Sequence, residues 1–105
     1  MFEVELLPSA LKDLTQAVAY IKDTLDNHQA AADLARDFYI AITNLKDNPY
    51  THALYSLRVP NLGHEYRRVN VRNYAIFYWV EEPARRVVVS RMIYARRDFL
   101  RIQYF

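Results

Sequence analysis

The sequence predicts an α+β fold of order β-α-α-β-β-β, with an N-terminal helical hairpin packed on one face of a small, mainly antiparallel sheet. Three observations carry this. Apolar residues recur at steps of three and four through most of the first half, the spacing of a buried helix stripe. Apolar runs rich in β-branched and aromatic residues fill the second half, as strands require. The joins between those runs are a few residues long, and joins that short connect antiparallel neighbours.

Residues 2–7 alternate and stop at Pro8, so they read as a short strand. Ser9 follows as an expected N-cap, its oxygen covering orphan backbone N–H groups. A helix over 10–25 then carries the stripe Leu11, Leu14, Val18, Ile21 and Leu25. Asp26-Asn27-His28 breaks it and caps the next. The second helix, 29–47, carries Ala31, Leu34, Ala35, Phe38, Ile42 and Leu45, and Asn48-Pro49 ends it because the residue before proline disfavours the α region. So short a join makes the pair an antiparallel hairpin. Asp13, Asp23, Asp33 and Asp37 lie mostly off the stripes, as a solvated face should.

Residues 50–64, with Pro60 and the single glycine Gly63, read as a connecting loop. Strands over 66–71, 74–80 and 86–94 form a meander, joined by Arg72-Asn73 and by residues 81–85. The tail 96–105 is expected to be a short helix or packed coil. On the central strand Tyr74, Ile76, Tyr78 and Val80 share one face, and Ala75, Phe77 and Trp79 the other. Both faces are apolar, so the strand is central. On the last strand parity groups Val87, Val89, Arg91 and Ile93 against Val88, Ser90, Met92 and Tyr94. Arg67 and Arg68 point to opposite faces, with the register needed to say which.

At 105 residues the chain is expected to be one domain spanning 1–105. With 52% hydrophobic and 14% aromatic residues it can build a core, which excludes general disorder. There is no cysteine, hence no disulfide framework and no thiolate metal site. Acids stand near the N-terminus where a signal peptide needs basic residues, and no apolar run approaches membrane-spanning length. The expectation is a soluble, cytoplasmic chain without a membrane partner.

Charge is polarised. From Tyr55 onward there are ten arginines, no lysine and four acids, a balance of +6; the first half has four cations against eight acids, −4. Guanidinium forks onto phosphate or carboxylate and stacks on flat rings. A face of arginines among aromatics, on the side the helices leave uncovered, would suit RNA or a docked partner segment. The alternative is solubility with scattered ion pairs. It applies residue by residue: Arg91, inside an apolar strand, reads as a structural arginine paired with a helix acid, and Arg85 and Arg86 as turn charges beside Glu81 and Glu82. Trp79 serves either as core or as an interface anchor. His28, His52 and His64 show no paired spacing and read as surface groups. With one glycine a phosphate-cradling loop is excluded, and no metal triad or nucleophile elbow is present.

The element order, the segment Tyr74-Ala75-Ile76-Phe77-Tyr78-Trp79-Val80, and the ending from Val87 through Arg96-Arg97-Asp98 together resemble the RelE/ParE toxin superfamily of type II toxin–antitoxin modules. The resemblance covers nearly the whole chain. It implies a growth-inhibiting toxin neutralised by a cognate antitoxin in a hetero-oligomer, with no cofactor. Two activities follow from it. RelE-like members cut mRNA on the ribosome without metal, using basic residues at the scissile phosphate. ParE-like members lack that set and poison DNA gyrase.

Residue by residue, the resemblance places an arginine after the tyrosine that opens the central strand of RelE-like nucleases, where this chain has Ala75. It keeps Arg97 after the last strand and Arg68 on the strand before the central one, with Tyr104, or equally Gln103, near a tail tyrosine. Arg68, Arg97 and Tyr104 are therefore the catalytic set if the chain is a nuclease. Arg67, Arg91, Arg96 and Arg101 are expected to contact nucleic acid or target, and Trp79 and Phe77 the antitoxin. Ala75 favours the ParE-like, non-catalytic reading. The alternatives are a metal-independent mRNA endoribonuclease and a decayed, non-toxic member that only binds antitoxin.

Overall fold

The computed structural model describes residues 1–54 and 63–96. The elements are β1 (Glu3–Leu6), α1 (Pro8–Ala19), a π-helical turn (Tyr20–Thr24), α2 (His28–Asp47), β2 (Arg67–Val71), β3 (Tyr74–Glu81) and β4 (Arg86–Tyr94). The expected α+β class holds. The sheet runs β1-β4-β3-β2, with β2, β3 and β4 an antiparallel meander and β1 added parallel to β4.

Helix starts differ from expectation at one cap. Leu7, not Ser9, is the N-cap of α1, with Pro8 in its first turn, where the missing N–H costs nothing. Ser9 instead donates its hydroxyl to the Ser90 carbonyl at 2.7 Å. Asn27 caps α2 as expected, its side chain accepting from Ala30 N–H at 3.0 Å. Asp26, just before it, turns the chain at φ 49°.

The hairpin covers one sheet face. Ala10, Leu34, Phe38 and Leu45 pack with Phe2, Val69, Val71, Ile76, Tyr78, Val87, Val89 and Met92. Leu14, Val18 and Ile21 join them from the first stripe, but its two ends do not, Leu11 being 52% exposed and Leu25 54%. For Leu25 the cause is the π-helical turn, in which its N–H bonds back five residues to Tyr20. The extra residue rotates Leu25 away from the core. On α2, Ala41 packs against the core while Ala35, expected on the stripe, is exposed.

The parity expected for β4 fails at its middle. The β3–β4 register shifts between Phe77 and Tyr78, which pair with Arg91 and Val89, leaving Ser90 as an extra residue. A bulge flips all later side chains to the opposite face. Met92 therefore joins Val87 and Val89 in the helix-side core, and Arg91 turns to the face of Phe77.

Beyond Val89, β1 no longer pairs with β4. Three groups from the β1–α1 segment continue along that edge. Leu7 N–H donates to Val89 O, Ser9 bonds Ser90 O, and the Asp13 carboxylate accepts from Met92 N–H at 3.0 Å. Asp13 is thus no solvated acid, with its side chain only 15% exposed. This strand edge is satisfied by one backbone N–H and two helix side chains.

Candidate functional site

The register settles the faces of the two neighbouring arginines. Arg67 pairs with Tyr78 and Arg68 with Phe77. Arg67 is therefore on the helix side, and Arg68 shares the second face with Ala75, Phe77 and Trp79. Arg91 also pairs with Phe77, so a row Arg68, Phe77, Arg91 crosses three strands of that face. The expected open, arginine-lined surface is only partly realised. Ala75 and Phe77 are fully buried there, and Val88 and Ile93 nearly so. Of the two residues expected to meet an antitoxin, Phe77 is buried and Trp79 half-buried.

Most of the described second-half arginines are engaged within the chain. Arg91 binds Asp13, Nε to Oδ2 at 2.6 Å and Nη2 to Oδ1 at 3.2 Å. Arg72, at φ 53° in the β2–β3 turn, reaches Asp37 of α2 at 2.7 Å and Asp33 at 3.8 Å. Arg86 forks onto Glu81 at 2.8 Å, with Glu5 at 3.5 Å, and hydrogen bonding to Glu81 holds its guanidinium above the usual range. Arg85 pairs with Glu82 at 3.2 Å and lies 4.0 Å over the Phe2 ring. For these four the ion-pair reading holds, and the net +6 does not translate into four free anion ligands. Arg68 donates to Asn70 Oδ1 at 2.9 Å, and Arg67 to the His52 carbonyl at 2.6 Å, its guanidinium 5.1 Å from the Tyr50 ring centre. Arg96 is exposed in the turn after β4. Arg97, Arg101 and Tyr104 lie outside the described residues.

Around Trp79 the sequence suggested an anchor but not its surroundings. The His64 ring lies flat on the indole, 3.7 Å away and 6° from parallel, and Tyr66 meets it edge-on at 5.6 Å. The indole Nε1–H is buried and has no acceptor among the described residues. Burial pushes the Tyr66 phenol up, opposed by its hydrogen bond with Ser90. His52 packs edge-on against Tyr78 at 6.5 Å, and His28 lies 3.7 Å from Asp26. These histidines serve separate surroundings. Among the described residues no group of three or more His, Asp or Glu could hold a metal ion, and no helix is long and apolar enough to cross a membrane.

A groove of about 610 Å³ opens between the end of α1 and the far ends of β3 and β4. Tyr20, Ile21, Leu25, Tyr74 and Tyr94 line it, with the Asp13–Arg91 pair at its wall. Tyr74 and Tyr94 lie 5.5 Å apart between ring centres. Three phenols, Tyr20, Tyr74 and Tyr94, line this common space; burial raises the Tyr74 phenol, and charge repulsion from the Tyr94 and Tyr20 phenolates pushes it the same way. Sequence reasoning missed this groove because its parts come from both ends of the chain.

The model for the ParE toxin of the type II toxin–antitoxin system parDE matches residues 4–99. The chain belongs to the ParE toxin family. A ParE-family toxin of this size is matched in fold by a solved chain described as the chromosomal ParDE TA system from P. aeruginosa. That chain shares 14% identity with a TM-score of 0.71, over 91% of this chain and 98% of that one. A search of curated proteins finds no match. Membership of the family makes this chain a type II toxin with an antitoxin partner, and the superfamily expected from the central strand is the right one.

Proposed function

We propose that this ParE-family toxin arrests growth when free by binding DNA gyrase, without cutting RNA, and that its antitoxin neutralises it. The observation that carries the reading is Ala75. RelE-like nucleases place a phosphate-binding arginine at that point of the central strand, and here the position is a fully buried methyl between Asn70 and Ile93. Of the two arginines in the row on that face, Arg91 is held by Asp13 at 2.6 Å and Arg68 donates to Asn70 Oδ1 at 2.9 Å. Phosphoryl chemistry without metal needs preorganised cations where charge builds in the transition state. Ala75 supplies none, and Arg91 is already neutralised.

The test is brief induction of this chain in a bacterial host, with RNA ends mapped and plasmid supercoiling assayed in parallel. Growth arrest with intact messages, and loss of gyrase supercoiling by the purified chain, is the expected result. Ribosome-phased cuts in translated messages, abolished in Arg68→Ala, would replace this reading with mRNA cleavage. Absence of any arrest would leave a non-toxic antitoxin-binding member.

A further inference from the structure

A second cavity, of about 250 Å³, opens where β2 starts and β3 ends. Trp79 lines it, together with His64, Glu65, Arg67 and Glu81. The Trp79 indole N–H is buried and finds no acceptor among the described residues. Buried donors are nearly always paired, and one left unpaired is costly, so an acceptor brought in from outside is favoured beside it. The charges of the lining are divided in a definite way. Arg67 gives one nitrogen to the His52 carbonyl at 2.6 Å. Among the described residues it has no carboxylate partner, unlike Arg72, Arg85, Arg86 and Arg91. Glu81 is taken by Arg86 at 2.8 Å, whereas the exposed Glu65 has no cation beside it among the described residues. The cavity thus offers two donors, the indole and the guanidinium, and one uncompensated acceptor. Its aromatic wall is flat, the His64 ring lying 3.7 Å from the indole and 6° from parallel. On the Gly63 side the space is open, with no atom within 4 Å of where a side chain would begin.

We infer that this cavity receives an extended peptide segment of the toxin's target, whose backbone carbonyl accepts from the Trp79 indole and Arg67 and whose N–H donates to Glu65. A peptide group carries one acceptor and one donor, which matches this division. A phosphate would meet the Glu65 carboxylate, and a bare cation the Arg67 guanidinium, and like charges brought together oppose binding. The volume lies just under the about 300–1,000 Å³ of small-molecule pockets and suits a residue or two of a chain. The inference rests on the reading of this chain as a gyrase-binding toxin, and names the surface that makes the contact. Obligate partners bury larger and more hydrophobic surfaces. A small notch lined largely by charged and polar groups therefore fits the target, met only when the toxin is free, better than the antitoxin.

The test measures inhibition of gyrase supercoiling by the purified full chain and by two single variants. Trp79→Phe keeps a ring under His64 and removes only the N–H and part of the indole. Glu65→Ala removes the acceptor from an exposed position, where the fold tolerates the change. Each variant is expected to need about five- to tenfold more toxin for half inhibition, the effect of one lost hydrogen bond. Tyr39→Ala, on the outer face of α2 at a side chain 70% exposed, is the control and is expected to match the parent. Circular dichroism checks folding, and if Trp79→Phe misfolds, Glu65→Ala decides alone. Undiminished inhibition by the folded variants overturns the cavity while leaving the gyrase reading intact. A parent chain that does not inhibit gyrase overturns both. Affinity for the antitoxin, expressed from the adjoining reading frame, is measured on the same preparations. Its loss with inhibition intact would hand the cavity to the antitoxin and overturn the assignment.

Discussion

Asp13 of α1 and Arg91 of β4 form a two-point ion pair, and the same Asp13 oxygen that takes Arg91 Nε at 2.6 Å also accepts the Met92 backbone N–H at 3.0 Å. One carboxylate thus neutralises an arginine and caps a strand edge. Asp13→Ala leaves a half-buried guanidinium and a backbone donor without that acceptor. It is expected to cost about 2–4 kcal/mol, whereas Asp13→Asn, which keeps an acceptor, costs about half as much. Urea unfolding midpoints compare the two; an alanine variant as stable as the parent would remove Asp13 from this role.

Tyr78 is fully buried and donates its hydroxyl to the Pro49 carbonyl at 2.7 Å. Burial pushes its phenol up to about 12, against a small opposing pull from Arg67. The folded state therefore holds the proton more tightly than the unfolded chain, whose tyrosine titrates near 10. The resulting stability is complete below pH about 10 and is lost as the pH rises toward about 12. Tyr78→Phe is expected to cost about 1 kcal/mol at neutral pH and to flatten the decline above pH about 10. Thermal melts from pH 7 to 12 read both effects, and an equally steep alkaline decline in the variant would contradict the assignment.

Arg72 combines a left-handed backbone, φ 53°, with the ion pair to Asp37. Arg72→Ala and Arg72→Gly lose the same side chain, so their difference isolates the backbone. Glycine is expected to be the more stable by about 0.5–1 kcal/mol, because alanine is strained at positive φ. Equal stability of the two would mean the turn relaxes.

Asp37 feels partial desolvation, which raises its pKa, but the hydrogen bonds and charges of Arg72 and Arg36 outweigh it and hold the carboxyl below its ordinary 3.8. A lowered folded value means stability present above pH about 3.8 and lost as the pH falls through the folded value. Asp37→Asn should therefore show a shallower acid decline than the parent. Acid titration followed by circular dichroism checks this, and superimposable curves would count against it.

The Trp79 indole N–H is buried with no acceptor among the described residues. Trp79→Phe removes that orphan donor along with part of the ring. The two changes oppose each other, so the net cost is expected to stay below about 1 kcal/mol, small for a tryptophan. If Trp79 also anchors the antitoxin, affinity should fall while stability holds. A loss of several kcal/mol in unfolding free energy would show the ring to be core alone.

Much of the fold is legible in the sequence. The stripe Leu34, Phe38 and Leu45 reads correctly as a buried helix face, and the segment from Tyr74 to Val80, apolar on both faces, as a central strand. The misreadings have local causes. Ser9 looked like a cap, but Pro8 starts the helix and the hydroxyl finds a strand carbonyl. Strict alternation groups Met92 with Val88, but one extra residue, Ser90, interrupts the period of two and turns Met92 to the helix side. The site was less legible. Arg91 was read both as a target contact and as an ion-paired residue, and only its partner on α1 separates the two. Tyr20, Leu25 and Tyr94 gave no sign of meeting, since nothing in the spacing relates a helix end to a strand end so far along the chain.

What the sequence determined by itself is what depends on near neighbours: the kind and order of the elements and the stripes that face a core. Periodicity and turn chemistry are local properties, set by residues a few positions apart. The tertiary structure alone decided the order β1-β4-β3-β2, the bulge at Ser90, the faces of Arg67 and Arg68, and which arginines are engaged. Those outcomes turn on contacts such as Asp13 to Arg91, between residues far apart in the chain, where many pairings satisfy the same pattern and only the packed whole selects one.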